Sequence, residues 1–424
     1  MATTFGTQNT FLTPDVIARE ALLILENNIV STQMMESSTT ADFTGAKVGD
    51  TIRVRRPAFF GVDDFAGTAN VKIQDAVESS VNLQIEKHFD ISFEVSSREL
   101  AFAVDDFNER LLRPAMSALS QKIDEYALTK IKDLGGLAEA DYSAPNSLAD
   151  VAAIVEKMNI QKIPMQNRKL LVSPAMQTAL YSIPEFVRAD IRGAASSPVE
   201  EASLGRFMGL DTMMSQVLPT HTVGNAISAP LGDISGTVNV AGGLRAGATT
   251  ITLDGLADPV PGTNNAVKAG DTIRITYADG VARDHVITGD QLITDTNPGT
   301  LVVNINPGLY GISVAAVDQS ATPDHAPVVL DNAVALLTGG TNSVPTYTVG
   351  AAFHPSAFQM VFVPQPNPMG PGTSSSTVNY NGMSLRVMQT YDHLKKRDLI
   401  SVDCLVGAAA VDGRLGVRIP SNGG

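Results

Sequence analysis

The most regular pattern in the chain is "VNLQIEKHFDISFEVS". Val81, Leu83, Ile85, Phe89, Ile91, Phe93 and Val95 alternate with Asn82, Gln84, Glu86, His88, Asp90, Ser92, Glu94 and Ser96, and only Lys87 breaks the apolar set. Period two predicts a strand. At about 3.3 Å per residue it would run roughly 50 Å, well beyond the usual strand of about five or six residues. Upstream, a Gly49-Asp50 turn leads into Ile52 and Val54 alternating with Arg53 and Arg55, which predicts the antiparallel partner. "RPAFFGVDDFAGTANVKIQDAVESS" lies between them as a tip carrying Pro57, Gly61, Gly67, Phe59, Phe60 and Phe65. Residues 41–97 are thus expected to form one extended β-hairpin, and a two-stranded hairpin of that length needs burial on partners.

Helical spacing takes over on either side. Thr13 stands as an N-cap with Pro14 at the first helical position and Leu12 placed to staple onto Ile17, so "DVIAREALLILENN" predicts a helix. Its apolar surface is wide (Val16, Ile17, Ala21, Leu22, Leu23, Ile24, Leu25) and must bury against the core or a neighbouring subunit. "DDFNERLLRPAMSALSQKIDEYALTKIKDLGG" predicts a long helix on Phe107, Leu111, Leu119, Ile123, Tyr126 and Ile131. Pro114 interrupts or kinks it and Gly135-Gly136 stops it. Ser147 then caps "LADVAAIVEKMN", "NRKLLVSP" is a short buried strand, and Ser173-Pro174 caps "AMQTALYSI", giving a compact α/β layer. A Gly- and Ser-rich loop follows and leads to a strand.

Between residues 228 and 345 the composition shifts: no Glu, Met or Phe, one Lys, and eleven Asp against four Lys and Arg, an excess that is half of the chain's net charge of −14. The runs "TVNVAG", "TTITLDG", "DTIRITY", "DHVITG", "TLVVNIN" and "GISVAAVD" are separated by Gly, Asn, Asp and Pro turns, which predicts an all-β sandwich or barrel inserted between α/β flanks. The string GDTIR occurs at 49–53 and again at 270–274. In both places Gly-Asp makes a turn and Thr enters a strand, and the flanks share nothing else, so we read it as common turn chemistry rather than duplication. Past Pro345, "FHPSAFQMVFVPQP" predicts a short helix near Ser356 and a strand. "GMSLRVMQTYDHLKKRDLISVDCLVGAAAVDGRLGVRIP" predicts strand, turn, strand and loop.

The 424 residues are 44% hydrophobic and 17% charged, with no Trp, and two or three domains are expected. An acidic chain does not wrap nucleic acid by bulk charge. A single cysteine, Cys404, excludes an internal disulfide, and its apolar surroundings point to a buried packing role. With no secretory segment at the start and no run of roughly 18 apolar residues, a soluble intracellular product is expected. Local catalytic signatures are missing: no phosphate loop, HExxH, Cys pair or GxSxG. His88, His221, His285, His325, His354 and His393 are widely spaced. Asp105-Asp106 reads as helix-dipole complementation before it reads as a metal pair. Asp63-Asp64 and Glu200-Glu201 read as solvated loop acids, and "DTNPG" as a turn before a calcium site. We therefore expect no enzyme, cofactor or metal. "RVRR" (Arg53, Arg55, Arg56) faces Glu86, Asp90 and Glu94 on the expected partner strand and reads as ion pairing, across strands or between subunits, before phosphate contact. Lys395, Lys396 and Arg397 flank a turn and read as a solvated or intersubunit surface before a phosphate site.

The order of these parts, with "NRKLLVSPAMQTAL", "VKAGDTIRITY", "AFHPSAFQMVFVP" and "GMSLRVMQTYDHLKKRDLISVDCLVGAAAVDGRLGVRI", resembles the major capsid proteins of tailed bacteriophages over nearly the whole chain. The nearest likeness is to the P-twenty-two-type coat proteins, a branch of the Hong Kong 97 type fold with an inserted domain. The resemblance implies an α+β capsid fold: N-terminal arm 1–40, extended loop 41–97, peripheral domain 98–146 with a spine helix from Asp105 to Leu134, axial domain 147–227, inserted barrel-like β domain 228–345, and a return to the core with C-terminal strands over 346–424. It implies self-association as hexamers and pentamers into an icosahedral virion shell assembled in the host cytoplasm. Scaffolding, portal and decoration proteins would be partners, and double-stranded DNA would be enclosed without sequence-specific contact, with no membrane. Arg53, Arg55, Arg56, Phe59, Phe60, Phe65, Lys395, Lys396 and Arg397 become the expected intersubunit contacts. Some relatives crosslink Lys to Asn between subunits, and no residue here can be matched to that chemistry. The competing expectation is a β-rich binding or adhesin module on an α/β scaffold, against which the missing Trp and low aromatic content stand; a hydrolase would need a site assembled only in three dimensions.

Overall fold

A computed structural model describes residues 14–39, 47–48, 51–55, 80–96, 111–138, 144–184, 205–224, 234–238, 243–244, 247–256, 265–293, 299–309, 329, 334–337, 346–368, 373–392, 394–395 and 397–421. In chain order the first elements are α1 (Pro14–Asn28), α2 (Ser31–Met34), β1 (Glu36–Thr39), β2 (Lys47–Val48), β3 (Thr51–Arg55), β4 (Ser80–Gln84), β5 (Lys87–Ser96) and α3 (Arg113–Thr129). Then come β6 (Gly136–Leu137), α4 (Leu148–Ile160), β7 (Arg168–Val172), α5 (Pro174–Tyr181), β8 (Arg206–Phe207), β9 (Leu210–Met214) and β10 (Thr220–Thr222). The next group is β11 (Ile234–Val238), β12 (Thr250–Leu256), β13 (Asn265–Val267), β14 (Thr272–Thr276), β15 (Ala282–Ile287), β16 (Gln291–Ile293), β17 (Gly299–Asn306) and β18 (Val334–Leu337). The chain closes with β19 (Thr346–Phe353), β20 (Phe358–Val363), β21 (Thr373–Tyr380), β22 (Met383–Asp392), β23 (Arg397–Ala410) and β24 (Gly416–Ser421). They fall into two compact units, the first from Met1–Val54, Asn82–Ala127 and Gln359–Ala409, the second from Arg55–Val81, Leu128–Phe358 and Ala410–Gly424.

The first unit is built on a six-stranded sheet, β1-β20-β23-β22-β21, with β5 also on β23. Here the sequence expectation needs correction. The alternating segment 81–96 is not one strand folded back on residues 51–55: it breaks at Ile85-Glu86, β4 joins β3 and β2 in a small sheet, and β5 pairs antiparallel with β23 from Lys87↔Val406 to Ser96↔Arg397. The register explains the choice, because Phe93, Ile91 and Phe89 lie opposite Ile400, Val402 and Cys404, matching apolar to apolar on one face. At the break the chain passes so close to Gly407 that a Cβ there would stand 2.8 Å from the Gln84 carbonyl oxygen and 3.2 Å from Ile85 Cα. Ile52, Leu83 and Val361 bury together beside Val54, Ile85 and Ala409, which anchors the small sheet. The expected hairpin tip, 56–79, lies outside the described residues.

Helix α1 begins at Pro14 as expected and packs on β21 and β22 through Ile17, Ala18, Ala21, Leu22 and Leu25. That stripe is consumed within its own unit, while Val16 and Leu23 of the wide apolar surface stay exposed. The β21–β22 turn places Asn381 and Gly382 at φ 48° and 75°, the pair that suits a two-residue hairpin loop. Leu111 and Leu112 form a π-helical turn that runs directly into α3 at Arg113-Pro114, so the regular α-geometry starts only at the proline. Asp105-Asp106 and Phe107 lie outside the described residues.

The second unit holds a seven-stranded sheet, β6-β24-β19-β7-β9-β8, with β10 also on β19. Ser147 makes the expected cap in full: its hydroxyl accepts from Asp150 N–H while the Asp150 carboxylate accepts from the Ser147 N–H. Ser173 caps α5 by accepting from Met176 N–H. Val151, Ile154 and Met158 of α4 pack with Leu170 and Val172 of β7, Met176 and Leu180 of α5, and Val417 and Ile419 of β24. Six strands, β11-β12-β17-β15-β14-β18, close into a barrel, and β13 pairs with β16 beside it. Strands β13, β16 and β18 are additions to the expected set, while "GISVAAVD" lies outside the described residues. The connection points are paired in register: Thr222 lies opposite Thr346 where the chain leaves and re-enters the sheet, and Ile234 opposite Leu337 at the barrel's ends. Among the described residues, no helix is long and apolar enough to cross a membrane.

Candidate functional site: surfaces and buried polar clusters

Of the nine expected contact residues, Arg53 and Arg55 are exposed on β3, Lys395 is exposed at the β22–β23 turn, and Arg397 is exposed at the start of β23. Arg56, Phe59, Phe60, Phe65 and Lys396 lie outside the described residues. The acids expected to face Arg53 and Arg55 have partners of their own. Glu94 takes Arg397 Nη1 at 2.5 Å, Asp90 accepts from Ser92 at 2.9 Å and Ser401 at 2.5 Å, and Glu86 accepts from the Tyr126 hydroxyl at 3.5 Å. This follows from β5 pairing with β23 instead of β3. Arg397 thus has a partner within its own chain, half-exposed and of small energetic weight.

The exposed apolar surface that sequence reading missed lies on the second unit. Ala152, Val155, Glu156, Asn159 and Ile160 of α4, with Met208, line an open depression of about 600 Å³. Ile160 is 58% exposed, Met208 43% and neighbouring Met165 71%. Helical spacing carried a signal for it, since Val151, Ile154 and Met158 fill the inward stripe and leave Ala152, Val155 and Ile160 on a second, outward one. On the first unit, Leu394 is 82% exposed beside Lys395.

The buried polar groups form clusters that hold structure. Asp403, on β23, takes Arg386 in a two-pronged pair at 3.0 and 2.5 Å and His88 Nε2 at 2.9 Å. Asp124 of α3 accepts from the N–H groups of Val30 at 3.0 Å and Ser31 at 2.9 Å, capping α2 across the fold; burial pushes its carboxyl up against the downward pull of those donors. In the barrel, His285 Nδ1 lies 2.8 Å from the Pro307 carbonyl and must donate to it, so Nε2 accepts from the Tyr277 hydroxyl at 2.9 Å. His221 meets Asp271 at 2.9 Å, both buried.

None of this is set up as a reacting centre. Burial pushes the Cys404 thiol up to about 12, so it stays an inert apolar group, as its surroundings in the sequence imply. Ser356 and His354 lie 2.6 Å apart, but the imidazole Nδ1 also takes the Ser356 N–H at 3.3 Å, which makes the pair the local cap of the 3-10 turn Pro355–Ala357. Among the described residues, no group of three or more His, Cys, Asp or Glu is placed to hold a metal ion.

No protein-family model matches the sequence, and no curated protein matches it. Solved structures similar to this chain include one described as "Mycobacterium phage Che8" (13% identity, TM-score 0.46, covering 92% of this chain and 90% of that one). Another is "The head structure of Helicobacter pylori bacteriophage KHP40" (9%, 0.45, 91% and 87%). A third is "Asymmetric unit of bacteriophage PhiM1 mature capsid" (10%, 0.42, 88% and 82%). Scores and identities this low transfer no residue role to the present chain.

Proposed function

We propose that this chain is a major capsid protein of a tailed phage, of the Hong Kong 97 type with an inserted β domain, assembling as pentamers and hexamers into an icosahedral shell around packaged double-stranded DNA. The observation that carries the reading is the order of parts. One unit is threaded by three separate stretches of chain, and the other is interrupted by a closed barrel between β10 and β19, in the sequence order of the coat proteins that the chain resembles. On this reading residues 1–40 are the arm, 41–97 the extended loop, 98–146 the peripheral domain with α3 as its spine, 147–227 and the final strands the axial domain, and 228–345 the inserted domain. Arg53, Arg55, Arg56, Phe59, Phe60, Phe65, Lys395, Lys396 and Arg397 are the proposed contacts to neighbouring copies, to which we add the apolar depression at Ile160 and Met208. Scaffolding, portal and decoration proteins are the further partners, and the shell encloses DNA without sequence-specific contact. Assembly belongs to the host cytoplasm and the product to the virion.

The acidic balance suits a container that encloses DNA without adhering to it. The test is the molar mass by light scattering, with negative-stain electron microscopy, of the chain expressed alone and together with its neighbouring genes. Closed megadalton particles are expected. A mass that stays at one chain under every condition, with selective retention on a glycan array, overturns the reading in favour of a binding module.

A further inference from the structure

The second GDTIR string is more than a turn. Asp271 accepts from the His221 ring at 2.9 Å and from the N–H groups of Gly224 at 3.1 Å and Lys268 at 2.7 Å. Arg418, fully buried on β24, donates through Nη1 to the Gly270 carbonyl at 2.5 Å and through Nη2 to the Thr272 hydroxyl. Gly270 has φ +100°, and a Cβ on it would stand 2.8 Å from His221 Cε1, so both the conformation and the approach require glycine. Tyr347, opposite His221 in the β10–β19 register, packs edge-on against that ring at 5.5 Å. Three consecutive residues at the entry to barrel strand β14 are therefore gripped by His221 of β10, which Tyr347 of β19 backs, and by Arg418 of β24, all from the seven-stranded sheet. Arg274, next but one along, pairs instead with Asp284 inside the barrel at 2.7 and 3.2 Å.

The covalent links between barrel and sheet start side by side, at Thr222 and Thr346, whose hydroxyls are 3.0 Å apart. The barrel also meets the sheet where Asn306 Nδ2 donates to the Asp133 carbonyl at 3.5 Å and Pro307 lies against Gly135. Of the two contacts, the grip is the one whose chemistry makes docking conditional. Desolvation offsets most of the attraction in a buried charged network, so correct pairing adds little net hold, whereas a partial network strands a charge at high cost. Arg418 illustrates this, since its Nε has no hydrogen-bond partner among the described residues even in the docked arrangement.

We propose that Gly270-Asp271-Thr272 is a latch. The barrel docks on the sheet as one unit when His221 and Arg418 are both engaged, and undocks as one unit, with those groups returning to water, while barrel and sheet each stay folded. The latch does not depend on the capsid reading, because it is a property of the single chain.

The test is backbone hydrogen exchange, read residue by residue on the full-length, unassembled chain. Arg418→Lys keeps the charge but loses the two-pronged grip, and Thr272→Val removes one acceptor with little change in volume. Asp271 holds the N–H of Gly224, just past β10 on the sheet side, and that of Lys268, three residues upstream in the barrel's own chain. A latch requires the Gly224 amide to exchange about tenfold faster in each variant, while Lys268, whose bond to Asp271 lies within the barrel's own chain, Leu170 and Leu171 of β7 and Ile275 of β14 keep wild-type protection. Arg274→Lys, which weakens the barrel's internal pair, must leave Gly224 slow. Wild-type exchange at Gly224 in both latch variants overturns the proposal, and so does acceleration that appears only together with Leu170 and Leu171. If Arg418→Lys does not fold, Thr272→Val carries the same decision alone.

Discussion

His285 shows how much a single residue can depend on partners that its sequence position hides. It is one of six scattered histidines, yet it is sealed inside the barrel between Tyr277 and the Pro307 carbonyl, and burial pushes its imidazole down to about 4 from an ordinary 6.5. Above pH 6.5 the ring is neutral in both the folded and the unfolded chain, and this linkage costs nothing. Between 6.5 and about 4 the unfolded chain binds a proton that the folded barrel refuses, so stability falls as pH falls; below about 4 both states are protonated and the loss stops. The full loss is about 3 kcal/mol. Denaturant unfolding at a series of pH values is expected to show this slope in the wild type and to show it missing in His285→Gln, and an identical slope in both assigns the acid sensitivity elsewhere. Gly407 has a comparable hidden constraint. With backbone on its Cβ side at 2.8 Å, Gly407→Ala must displace the chain where segment 81–96 breaks, and a loss of about 1–3 kcal/mol in the unfolding of the first unit is expected. A melting temperature unchanged from wild type would show that the crossing yields easily.

At the scale of elements, the caps were legible and the partners were not. Ser147 and Ser173 declare their helices because a cap is satisfied within three residues. The alternation of residues 81–96 declares two faces equally well, and both are present in β5, but period two says nothing about which strand lies alongside, and the chosen partner is more than three hundred residues away. Asn381-Gly382, a hairpin signal that local reading could have used, sets the β21–β22 turn. Asp124 is the opposite case, a charge in mid-helix whose purpose appears only when α2 arrives to be capped by it. Asp124→Ala leaves two buried N–H groups unpaired and is expected to destabilise the first unit by about 2 kcal/mol. Asp124→Asn retains one acceptor and falls between Asp124→Ala and wild type. Chemical denaturation of the three proteins gives the order, and equal stabilities would mean that water replaces the carboxylate at no cost.

At the scale of the whole molecule, GDTIR divides what local physics can and cannot reveal. Thr51 and Thr272 both open strands after Gly-Asp, as the shared string implies, yet the second copy's partners, His221 and Arg418, come from 50 and 148 residues away and no local pattern points to them. The same limit applies to assembly. Arg53 and Arg55 stood out because charge stands out, whereas the depression around Ile160 and Met208 is composed of ordinary apolar residues whose exposure is visible only once the inward stripe of α4 is filled. Under the proposed shell reading, in which many copies of the chain meet, an exposed apolar face invites a direct test. Ile160→Asp places a carboxylate on a surface that is open in the single chain, so its folding is expected to change by less than about 0.5 kcal/mol. Against a neighbouring copy the same carboxylate would be buried without a partner, at a cost of roughly 2 kcal/mol or more per contact, which in the proposed shell would recur in every copy, beyond what modest contacts can absorb. Arg55→Glu reverses a charge on β3 and probes the other surface in the same way. Both variants are expected to give subunits with wild-type circular dichroism and melting but a sharply reduced particle yield on sedimentation. Wild-type yield from Ile160→Asp removes that face from the assembly surface, and wild-type yield from Arg55→Glu removes β3.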